Sequence, residues 1–157
     1  MNLSKRVSLI RNSHIKLLVS ILILLALFKT SIAQDTSLLV IRNSKGVPAE
    51  MKMAQLKSVL KGEKQRWGDG TKVVIALMKP NTPVGGNTCK KVYNMSANEV
   101  SKYWLGLVFQ GKADAPAMFN SLNELEDFVS RTPGAIGVIG QTASNNKTIT
   151  VEGKKYL

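Results

Sequence analysis

Lys72-Val73-Val74-Ile75-Ala76-Leu77-Met78 is the stretch on which the fold turns. Six apolar residues in a row, β-branched in the first half, make it the strongest strand in the sequence. Gly68-Asp69-Gly70 supplies the turn into it. Upstream, Ser37-Leu38-Leu39-Val40-Ile41 is a short β-branched and Leu-rich run that suits a strand covered on both faces, closed by the turn residues Arg42-Asn43-Ser44-Lys45-Gly46. Between the two runs, Met53, Leu56, Val59 and Leu60 recur at helical spacing. Pro48 suits the first turn of that helix, Glu50 its positive end, and Gly62 stops it. Strand, helix and strand together predict a crossover unit with parallel strands and a right-handed connection.

Downstream, Lys79-Pro80-Asn81-Thr82-Pro83-Val84-Gly85-Gly86-Asn87-Thr88 reads as a long polar loop, with a brief helix over 88–93. Ser96-Ala97-Asn98-Glu99 is a capping box, in which the Ser oxygen and the Glu carboxylate each meet a free backbone N–H. Val100, Tyr103, Trp104, Leu107 and Val108 then form one apolar face, and Gly111 ends the helix. A second box, Ser121-Leu122-Asn123-Glu124, opens a helix with Leu125, Phe128 and Val129 inward, terminated by Thr132-Pro133-Gly134. Closing strands are expected over 135–139 and 148–152. The sum is an α/β domain with a mixed sheet of about four strands flanked by helices.

Residues 1–33 read as a signal peptide. Lys5, Arg6, Arg11 and Lys16 form a basic start, residues 17–28 an apolar run, and Ser31-Ile32-Ala33 a cleavage site of small residues. The run is short of the roughly 20 apolar residues that span a bilayer, so no stable membrane insertion is expected after cleavage. The expected product is one domain over residues 34–157, periplasmic or secreted. The whole chain has 22 Lys and Arg against 10 Asp and Glu; losing Lys5, Arg6, Arg11, Lys16 and Lys29 leaves 17 against 10, a net +7. These charges are scattered, which suits small anionic ligands; nucleic acid is not an expected partner, because no basic helix interleaved with aromatics is present.

The chemical inventory is thin. The one His, His14, lies in the leader, and the one Cys, Cys89, has no imidazole to activate it, so no enzyme and no cofactor is expected. No acidic spacing matches a metal loop. Cys89 cannot close a disulfide within the chain; it is read as a buried small apolar residue, the alternative being a thiol that links two chains.

Several segments together resemble the phosphate ABC transporter substrate-binding proteins. They are Gly62-x4-Trp67-x-Asp69-Gly70, Ser96-x-x-Glu99 with Tyr103-Trp104, Val108-Phe109-Gln110-Gly111-Lys112, Phe128-Val129, and Thr132-Pro133-Gly134-Ala135-Ile136-Gly137, in that order. The resemblance covers most of Leu38 to Gly140. It implies one lobe of a type II periplasmic-binding fold, whose full-length members hold phosphate between two lobes. Trp67 and Trp104, inside these motifs, are expected in the core.

The resemblance places a basic phosphate ligand where Lys79 stands. A phosphate site of this kind needs helix N–H groups, hydroxyls and a cation. Lys79, Gly85, Gly86, Asn87 and Thr88 supply them in sequence, and Asn43 and Ser44 are secondary candidates because they follow the first strand. The expected function is an exported solute-binding-like protein that takes phosphate or a related oxyanion and is linked to phosphate uptake. The alternative is a non-catalytic envelope interaction module whose ligand site has decayed, with an apolar face exposed where a second lobe would have packed. A homodimer would rebuild a cleft from two identical lobes.

Overall fold

A computed structural model describes residues 37–141, 144 and 146–157. The expected signal segment lies outside the described residues. The elements run β1 (Leu38–Arg42), β2 (Glu50–Met51), α1 (Met53–Leu60), β3 (Val74–Met78), α2 (Pro83–Thr88), which passes directly into a π-helical stretch (Cys89–Tyr93), α3 (Ala97–Phe109), β4 (Ala117–Phe119), α4 (Leu122–Arg131), β5 (Ala135–Gly140), β6 (Lys147–Thr148) and β7 (Thr150–Val151).

The main sheet has five strands in the order β4-β3-β5-β1-β6. β4, β3 and β5 are mutually parallel, and β1 is antiparallel to β5 and to β6. The sheet is therefore mixed, as expected, but the parallel crossover from β1 to β3 is not formed. β5 lies between them and β1 runs the other way. An apolar run buried on both faces carries no information about direction, so the pattern that found both strands left their relative direction open.

Alternate side chains of each central strand enter opposite cores. Leu38 and Val40 of β1, Ile75 and Leu77 of β3, and Ile136 and Val138 of β5 pack with α1, the π-helical stretch and α3. Leu39 and Ile41, Ala76 and Met78, and Ala135 and Ile139 pack with Leu125 and Val129 of α4. Trp67 and Trp104 are buried in the first core, as the sequence motifs imply. Two tyrosines finish α1: Tyr93 donates its hydroxyl to the Leu60 carbonyl at 2.5 Å and Tyr103 to the Lys61 carbonyl at 2.7 Å.

Three local expectations are corrected. Glu50 and its neighbour Met51 form β2 instead of a helical first turn, because their backbone pairs in parallel with Thr150–Val151, and α1 starts at Met53 with the Lys52 N–H donating to Gln55 Oε1 at 3.0 Å. The closing strand breaks at the fully buried Ile149, one half joining β1 and the other β2. β4 was not visible in sequence, being three residues long.

Gly134 sits at the entrance to β5. Its carbonyl accepts from the Trp67 indole N–H at 2.8 Å and from the Val74 N–H at 3.1 Å, and its own N–H donates to the Lys45 carbonyl at 2.9 Å. Its φ is +75°, and a side-chain carbon there would lie 2.1 Å from the Lys72 carbonyl oxygen, so only glycine fits. Replacing Trp67 by Phe removes the indole donor and should lower stability by about 1–3 kcal/mol in urea denaturation; an unchanged midpoint would contradict this role. Cys89 is free and buried, and burial pushes its thiol pKa up. The native chain should therefore resist a thiol reagent at pH 8 and react only in denaturant; rapid native labelling would contradict the burial.

Candidate functional site

Strand direction decides which residues share an edge of the sheet. β4, β3 and β5 all end on one edge, at Phe119, Met78 and Gly140, and that edge is where open α/β sheets gather ligands. β1 runs the opposite way, and the Asn43 N–H donates to the Ala135 carbonyl at the start of β5. Lys79 and the pair Asn43–Ser44 thus lie at opposite edges, separated along the strands by about five residues at about 3.3 Å each, roughly 17 Å. The structure does not bring the two sets of sequence candidates together.

Lys79 follows β3 directly. Its N–H donates to the Phe119 carbonyl at 2.9 Å, and its carbonyl accepts from both the N–H (2.9 Å) and the hydroxyl (2.8 Å) of Thr82. Thr82 then caps α2, its Oγ1 accepting from the Gly85 N–H at 3.0 Å, with Pro83 in the first helical position. The expected long loop is consequently only a tight turn, and Gly85, Gly86, Asn87 and Thr88 are helical. A capping Thr followed by Pro outweighs the weak helix propensity of two glycines. Gly85 permits a close approach, but to the protein itself: a side-chain carbon there would lie 2.0 Å from the Lys79 carbonyl oxygen.

This relocates the hydrogen-bond donors. Thr88 is buried, 3% exposed, with its hydroxyl donating to the Val84 carbonyl at 2.8 Å, so it is turned into its own helix. Pro83 has no N–H, and the Gly85 and Gly86 N–H groups are taken by Thr82 Oγ1 and the Thr82 carbonyl. The Val84 N–H is the first-turn donor left. Beside it, β4 ends in Phe119, and after Asn120 the α4 helix is capped by Ser121, whose Oγ accepts from the Glu124 N–H at 3.4 Å. That is one half of the capping box read from sequence. Two helix starts and one lysine therefore meet at this edge, held together by the Lys79–Phe119 hydrogen bond. Thr82, Asn120 and Ser121 are not among the sequence candidates; the signal that marks them is a strand end followed within four residues by an N-cap residue.

At the other edge, Asn43 is a structural cap. Its Nδ2 donates to the Val129 and Ser130 carbonyls, both at 2.9 Å, and its Oδ1 accepts from the Lys45 N–H at 2.9 Å. Ser44 is exposed and borders an open cleft of about 440 Å³. No group of three side chains able to hold a metal ion occurs among the described residues, and no described helix is long and apolar enough to cross a membrane.

Comparison with solved structures gives the fold an independent reference. An ABC-type phosphate transport receptor from Vibrio cholerae matches with a TM-score of 0.60 at 14% identity, over 78% of this chain and 49% of that one. The fold is that of one lobe of such a protein. PstS from Borrelia burgdorferi matches with a TM-score of 0.58 at 16% identity, over 76% of this chain and 48% of its own. A Clostridium perfringens protein solved with phosphate bound matches with a TM-score of 0.57 at 11% identity, over 76% and 46%. The chain spans about half the length of each. No family model and no curated protein sequence matches it.

The packing at Gly85 gives a paired prediction. Gly85→Ala should destabilise the chain by about 2–4 kcal/mol, because the new methyl meets backbone, whereas Gly86→Ala, whose nearest neighbour is the Pro80 carbonyl oxygen at 3.6 Å, should be neutral or stabilising. Urea denaturation of the two variants checks this; equal midpoints would contradict the close approach.

Proposed function

We propose that this chain is an exported, non-catalytic solute-binding-type lobe that takes phosphate or a related oxyanion at the carboxyl edge of β3 and β4, and that it serves phosphate uptake. The observation that carries the reading is the meeting of Lys79 with the starts of α2 and α4 at the edge where three parallel strands end. Lys79 supplies the balancing cation, the Val84 N–H and the open first-turn N–H groups of α4 supply directed donors, and Asn120 and Ser121 supply polar side chains. The likeness to phosphate-binding structures supports the choice of anion. Lys79→Ala removes the cation and keeps the turn, since the hydrogen bonds of Lys79 given above are made by its backbone. Thermal unfolding of the full chain should show a saturable rise with inorganic phosphate that sulfate at equal ionic strength does not give, and that Lys79→Ala loses. No phosphate-selective rise, or one unchanged in the variant, would overturn the assignment.

A second reading, an interaction module, rests on the outer face of α3. Leu105, Val108 and Phe109 are 57%, 42% and 83% exposed, spaced to form one apolar stripe. A second copy of the chain packed there would give a dimer that Phe109→Glu returns to monomer in size-exclusion chromatography; a wild-type monomer at high concentration would count against it.

A further inference from the structure

The cleft at the amino edge of β5 is lined by Arg42, Lys45 and Lys147, with Ser44, Ser130 and Asn146 between them. No carboxylate is among the lining residues, and residues 141–147 contain none in sequence.

Two further observations distinguish this cleft from an ordinary basic surface. Arg42 and Lys147 are direct cross-strand partners of β1 and β6, so two positive side chains stand opposite each other on one face of the sheet. Like charges so placed destabilise a strand pair unless an anion lies between them. The Arg42 guanidinium is also partly committed: Nη1 donates to the Val47 carbonyl at 2.9 Å, while its buried Nε has no protein partner among the described residues. A buried donor left without an acceptor is costly, and a water or a ligand oxygen reaching it removes that cost.

We infer that this cleft is a second anion site, distinct from the one at the carboxyl edge, and that it takes a phosphate chain or phosphoester carrying two or more negative charges. The volume of about 440 Å³ exceeds what one tetrahedral oxyanion fills and lies in the range of small-molecule sites. Three cations from two strands and a turn suit charge spread over several oxygens. Arg42, fixed by its bond to the Val47 carbonyl, contributes a charge of set position, and the two lysines act as adjustable point charges.

The test is calorimetric titration of the purified full chain with inorganic tripolyphosphate, with sulfate at equal ionic strength as the control. Tripolyphosphate should bind at least tenfold tighter than sulfate. The Lys45→Glu, Lys147→Glu double variant, altered only at exposed positions, should weaken it at least tenfold, while a Lys102→Glu, Lys112→Glu double variant of equal net charge, at exposed positions outside the cleft, should leave it unchanged. Lys147→Gln should raise the unliganded melting temperature by relieving the opposition to Arg42, and should reduce the rise that tripolyphosphate gives. Sedimentation with phosphatidic acid vesicles distinguishes the source of the phosphoester: retention released by tripolyphosphate and absent in the double variant assigns a lipid headgroup, and tripolyphosphate binding without retention assigns a free ligand. Absence of tripolyphosphate binding, or binding that survives the double charge reversal, would overturn the inference.

Discussion

The backbone of Gly134 ties the start of β5 to the segment around Trp67 and β3 and to the turn after β1. The Trp67 indole, the first amide of β3 and, through the Gly134 N–H, the turn after β1 all meet at this one residue. β5 begins immediately after it, and all six of its residues are buried. Because β5 pairs in parallel with β3 and antiparallel with β1, its starting point sets the register of both neighbours. A one-residue slip would move every side chain of a central strand into the wrong core. The same register fixes which polar residues stand at each edge, so the positions of Lys79 and of Arg42 are consequences of how β5 is anchored.

That arrangement separates two kinds of electropositive site. At the carboxyl edge the positive potential comes largely from the backbone, from two helix starts and one lysine, and suits a compact anion held by directed N–H groups. At the opposite edge it comes from three long side chains around an open cleft and suits a larger, more highly charged ligand. The two are on opposite ends of rigid strands, so neither needs the other to be filled. Anion binding at either proposed site would be favoured by the net +7 of residues 34–157, most strongly at low ionic strength.

Much of the architecture was legible in the sequence, and the reasons are particular. Val73 to Met78 and Leu38 to Ile41 announced buried strands by unbroken apolar runs, and Ser96 with Glu99 announced the start of α3 by chemistry that is local to four residues. Strand direction was not legible, because it depends on β5, nearly 60 residues beyond β3. β2 and β4 escaped because two or three residues carry no period, and the strand read over 148–152 is present as β6 and β7, divided at Ile149. The candidate site was half legible. Lys79 follows β3 as read, but Gly85, Gly86 and Thr88 signalled a loop by composition, whereas the Thr82-Pro83 cap makes them helical and turns Thr88 inward. Asn43 followed a strand end, yet that strand is the reversed one, so its carboxyl end faces the other edge. Lys147 was beyond reach, since only cross-strand pairing places it opposite Arg42.

In the proposed function, phosphate is held at the carboxyl edge of β3 and β4. Amide chemical-shift mapping of the full chain during titration with inorganic phosphate tests it most directly, because each edge of the sheet reports separately. The account predicts saturating shifts at Val84, Leu122 and Asn123, around Lys79. Shifts confined to the Arg42 and Lys147 edge, or none beyond those that sulfate produces, would contradict it.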